Sequence, residues 1–183
     1  MANALLRLNP NIALLLNALL FQCVWWGIIL SHDASAWLFI VLYCVFHIAL
    51  ISAHKSLEVG FVALVTGIGV AVDLLWFSQG LMLYEGARHF PHWLIPLWLA
   101  FATTLPHSLS WLAKSKMLAA VFGALFGPLS YWAGAQFTEV SIPNPVLWAL
   151  ALGFFWALAL PAFLHLWHRL ESNSKPVNRF MGW

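Results

Sequence analysis

Asp73, a polar run over residues 103–110 and three histidines set in apolar sequence are the side chains whose types and spacing point to chemistry. Asp73 lies in the apolar run 59–83 and is the only acidic residue inside any such run. A carboxylate at the centre of a membrane helix costs about 3 kcal/mol on insertion scales, so a chain that keeps one there gives it a partner and often a task. Thr103, His107 and Ser110 recur on one helical stripe, and Thr104, Ser108 and Trp111 on the next. In such a setting His107 is a base or a hydrogen-bond donor. Asp73, His107 and Ser108 are therefore the candidate catalytic residues, although adjacent Ser and His on one helix point in different directions. Thr103, Thr104, Ser110, Gln22, His47 and His165 are candidate ligand-binding residues.

His47, His107 and His165 share one expected depth on three different helices, and Asn17 joins them. Imidazoles at one level suit a metal ion, a proton relay, a substrate contact or plain hydrogen-bonded packing. The spacing matches no metal motif. His165 with His168, and His89 with His92, have the HxxH interval but lack the carboxylate or cysteine pattern of a zinc site. No metal and no cofactor is expected. At 1.5 Å per residue, Asp73 stands about 20 Å from the inner end of its helix and His107 about 8 Å from the inner end of its own. A direct pair between them is not favoured. Cys23 and Cys44 fall in apolar segments and read as buried thiols.

The elements that must hold these groups are membrane helices. Of 183 residues, 63% are hydrophobic and 8% charged, a balance whose surface water would not wet. A net charge of +2 with no basic run excludes a nucleic-acid binder. A span needs roughly 20 apolar residues. Six segments meet this, near residues 11–30, 34–53, 59–83, 93–112, 117–137 and 145–168. The expectation is an all-α membrane protein: one domain over 1–183, a six-transmembrane-helix bundle with short loops. The first segment is too long and too rich in tryptophan for a signal peptide and reads as an uncleaved span. With six spans, Arg7, Lys55, Lys114, Lys116, Arg169, Lys175 and Arg179 fall on one side and only Arg88 on the other. The positive-inside rule then makes the N-terminus and C-terminus cytoplasmic. Trp25, Trp26, Trp37, Trp93, Trp132 and Trp148 fall at the outer boundary as interfacial anchors. The polar tail 169–183 is either an inner-leaflet contact or a frayed end.

Small residues predict the packing. Gly123 and Gly127 form a GxxxG pair, and Thr66, Gly69, Asp73 and Gly80 share a stripe that turns the aspartate into the bundle. Pro106, Pro128 and Pro161 free the carbonyls of Ala102, Ala124 and Ala157 for a cavity or for local donors.

Three stretches, 98–112 (WLAFATTLPHSLSWL), 123–134 (GALFGPLSYWAG) and 69–73 (GVAVD), resemble a family of small bacterial six-helix inner-membrane proteins classed as a domain of unknown function. The resemblance covers nearly the whole chain. It implies a multi-pass protein of the bacterial inner (cytoplasmic) membrane, found near genes for membrane-lipid modification. It supplies no catalytic residues. The leading expectation is a lipid-modifying factor, or the membrane partner of one, with a polar intramembrane cavity. A small proton-coupled transporter and a non-catalytic scaffold are the alternatives. Membrane lipids are the expected partners, with a second copy or another membrane protein beside them.

Overall fold

The structure, a computed structural model, describes residues 9–52 and 54–174. Arg7, Lys175, Arg179 and most of the polar tail lie outside the described residues. Six α-helices follow one another: α1 (Pro10–Ser31), α2 (Ala36–Leu50), α3 (Lys55–Ser78), α4 (Leu94–Thr104), α5 (Lys116–Ala135) and α6 (Pro145–Ser174). A short 3-10 helix (Ser110–Lys114) precedes α5. Four helices, α1, α3, α5 and α6, are long and apolar enough to cross a membrane. At 15 and 11 residues, α2 and α4 rise only about 22 and 16 Å.

Pro106 explains the short α4. A proline disfavours helical backbone in the residue before it and clashes with the carbonyl four residues back. The helix stops at Thr104, and the chain turns on bonds from His107 N and Leu109 N to the Thr104 carbonyl. Hydroxyls hold this turn: Thr103 donates to Ala100 O, Thr104 to Phe101 O and Ser110 to His107 O. The continuous helix expected over 93–112 is therefore broken, and the stripes read across it do not persist past Thr104. Pro128 and Pro161 instead stay within α5 and α6.

Successive helices alternate in direction. The loops after α1, α3 and α5 meet at one end, where β1 (Leu83–Tyr84) pairs antiparallel with β2 (Val140–Ser141). His32 at the end of α1 reaches Glu139 there at 3.1 Å. This two-stranded pairing between distant loops carries no signal in the hydropathy pattern.

Glycine sets the closest approaches. A Cβ on Gly123 would lie 2.2 Å from the Trp156 carbonyl oxygen, and one on Gly127 2.3 Å from the Trp156 ring. The GxxxG face of α5 thus presses on α6 at Trp156. Gly69 does the same between α3 and α4, since a Cβ there would meet the Trp98 indole at 2.1 Å. Outward faces carry exposed Leu38, Val41, Val45, Leu150, Phe154 and Leu158, a surface suited to hydrocarbon rather than water.

Candidate functional site

Two polar clusters occupy the interior, and α3 contributes a carboxylate to each. In the first, Asp73 is fully buried. Trp98 Nε1 donates to one carboxylate oxygen at 2.7 Å, and Tyr131 Oη to the other at 2.7 Å. Asp73 follows Gly69 by one helical turn, so the glycine makes room for the indole whose N–H the aspartate receives. Trp98 then stacks on Trp156, with centroids 5.3 Å apart and planes 6° from parallel. One carboxylate thereby ties α3 to α4 and α5, and through the stacked rings to α6.

The second cluster centres on Glu58 in the first turn of α3, which is buried. His47 Nε2 from α2 and His107 Nε2 from the turn after α4 both meet Glu58 Oε1, the latter at 2.9 Å. The two imidazoles lie edge to face, 5.1 Å apart. Asn17 of α1 joins this group to the turn. Its Oδ1 accepts from the backbone N–H of Ser108 at 3.2 Å and from Ser108 Oγ at 2.7 Å. A backbone N–H only donates, which fixes the amide orientation. Asn17 Nδ2 therefore faces Tyr43 Oη at 3.3 Å, Thr103 O at 3.4 Å and His47 Nδ1 at 3.5 Å. His47 Nδ1 is thus the acceptor, and its Nε2–H donates to Glu58. Tyr43 in turn donates to Thr103 Oγ1, because that hydroxyl spends its proton on Ala100 O.

Beside these clusters lies a partly open cavity of about 720 Å³ between α1 and α5. The direct approaches of these helices include Trp26 against Phe137 and Ile29 near Gly134, both at the end where β1 pairs with β2. The cavity wall is mostly aromatic and aliphatic, including Phe21, Trp98, Phe101 and Phe126. Gln22, Thr104, Ser108, Ser130 and Tyr131 supply its polar points.

The sequence-predicted residues are therefore distributed over separate places. Asp73, His107 and Ser108 share no partner: Asp73 holds Trp98 and Tyr131, His107 faces Glu58, and Ser108 binds Asn17. Among the described residues Ser108 meets no base. His47 and Thr103 join His107 in the second cluster, whereas Gln22, Thr104 and Ser108 line the cavity. Ser110 caps the His107 carbonyl. His165 is exposed and lines a separate small cavity with His168, so the three expected histidines do not converge.

Glu58, Tyr43, Trp98 and Tyr131 were not among the candidates. Glu58 stands one residue before the apolar run and reads as loop, yet α3 begins at Lys55 and carries it inside. Tyr43 had a usable signal, one helical turn before His47. Trp98 and Tyr131 enter the sequence reading only within the stretches that carry the family resemblance, and nothing local marks them as donors to Asp73.

An all-helical chain with four helices long and apolar enough to cross a membrane fits the class of helical membrane proteins. Within that class, the chain belongs to the family described as Protein of unknown function (DUF2878), whose model matches residues 14–162. No curated protein and no solved structure matches the chain.

Proposed function

We propose that this protein handles membrane lipids, taking an acyl chain into the cavity between α1 and α5 for modification by itself or by a membrane partner. The cavity carries this reading. Its volume of about 720 Å³ falls in the range of roughly 300–1,000 Å³ typical of small-molecule sites. A largely apolar wall with a few polar points suits a chain with a polar head. Gln22, Thr104 and Ser108 are the groups that would meet such a head.

In this proposal α2, and α4 together with the turn and 3-10 helix, also cross the bilayer, giving six spans. Both termini then face the cytoplasm of a bacterial inner membrane, on the side to which seven of the eight Lys and Arg residues fall. A proton-coupled transport role would start from Asp73. Both oxygens of that carboxylate are engaged, and it is not part of the cavity wall, which favours the lipid reading.

Photoactivatable phospholipid carrying a diazirine on its acyl chain tests the proposal in vesicles holding the full chain. Labelling is expected on α1 and α5 residues of the cavity, and Ala18→Trp, which fills its wall, is expected to suppress it. Labelling spread evenly over outward faces such as that of α2, and indifferent to Ala18→Trp, would remove the basis for an acyl-chain site.

A further inference from the structure

We infer that His47, Glu58 and His107 form a binding site for one divalent transition-metal ion. The donor set is the first reason. Two imidazoles and one carboxylate are the protein ligands of many catalytic zinc sites and of non-haem iron(II) sites, with coordination positions left for water or substrate. Convergence is the second. Within 4.8 Å of one another lie ligand atoms from α2, from the first turn of α3 and from the turn after α4. Ligands about 2.0–2.2 Å from a common ion stand within about 4 Å of each other, so small side-chain rotations complete the site. The 2.9 Å between His107 Nε2 and Glu58 Oε1 is already the spacing of neighbouring ligands.

Outer contacts support the same reading. Tyr43 stacks on His47 at 5.8 Å, so one face of the ring that would coordinate is held. Loading an ion on His47 Nε2 moves its proton to Nδ1, and the amide of Asn17 must then release that nitrogen. It can do so in place, because Tyr43 Oη and Thr103 O are the nearer acceptors for its two N–H groups. Each imidazole keeps one proton, on Nδ1, and binding to the carboxylate needs none.

The site was hidden from motif reading because its ligands are 11 and 49 residues apart, on three elements. The inference does not depend on what occupies the cavity.

The test uses the full chain in detergent, stripped by chelator and titrated with Co²⁺ as the spectroscopic probe. One equivalent is expected to bind, with X-ray absorption reporting two imidazoles and a carboxylate oxygen in the ligand shell. Glu58→Gln and His107→Gln are expected to weaken binding at least a hundredfold. Absence of stoichiometric binding by the wild type overturns the inference and leaves a hydrogen-bonded tie between helices. Unchanged affinity in the folded variants, or a ligand shell without imidazole, overturns it equally. Should the variants not fold, the ligand shell of the loaded wild type decides the matter alone.

Discussion

Asp73 and Glu58 are both buried on α3, about four turns and 22 Å apart along its axis, and they are held in opposite ways. Asp73 is sealed by two fixed donors, an indole N–H and a phenol, neither of which changes charge readily. Glu58 is faced by two imidazoles, groups that exchange protons near neutral pH and coordinate metals. A buried carboxylate given only neutral, rigid donors serves as a rivet among helices. One given two imidazoles is surrounded by groups that also ligate metal ions. The carboxylate in the middle of the apolar run of α3, which hydropathy makes conspicuous, meets only an indole and a phenol. The carboxylate at the helix start, which hydropathy hides, meets two imidazoles.

The largest expected effect comes from removing the rivet. Asp73→Ala leaves Trp98 Nε1 and Tyr131 Oη buried without an acceptor, at about 1–3 kcal/mol for each orphaned donor. Thermal unfolding in detergent should fall steeply, with Asp73→Asn retaining part of the loss through its one remaining oxygen. A variant Asp73→Ala of wild-type stability would break the contrast between the two carboxylates.

An intermediate effect is expected at Gly69. A methyl group there collides with the Trp98 indole, and overpacking of this kind costs about 1–3 kcal/mol. Gly69→Ala should lower the unfolding temperature and also quench or shift the fluorescence of the displaced tryptophan. Gly60, with nothing within 4 Å of an added Cβ, is the control. Gly60→Ala should gain about 0.5–1 kcal/mol, the ordinary advantage of alanine in a helix. This is the smallest effect, and a loss there would mean that α3 is packed differently at its two ends.

How much of this was legible in the sequence follows from the range of each interaction. The starts of α1, α5 and α6 lie within a residue of the expected spans, because apolar length and flanking polar breaks are local properties. Pro106 was read as a kink within a long helix. The structure instead ends α4 before it, since the hydroxyls of Thr103, Thr104 and Ser110 satisfy the carbonyls of a turn as well as a helix would have. The GxxxG face was visible because close helix approach needs small residues at a fixed interval. Its partner Trp156 was not, because choice of neighbour depends on how four other helices pack.

Composition and periodicity by themselves determined an all-helical chain with apolar faces, an inward-turned Asp73 and polar residues gathered near 103–110. Only the tertiary structure decided that His107 would turn to Glu58 rather than approach Asp73 or serve Ser108, and that α1 and α5 would leave a cavity between them. The physical reason is one of distance along the chain. Helix formation is governed by neighbours within a turn or two, whereas a carboxylate's donors are chosen by which helices lie beside it and at what height.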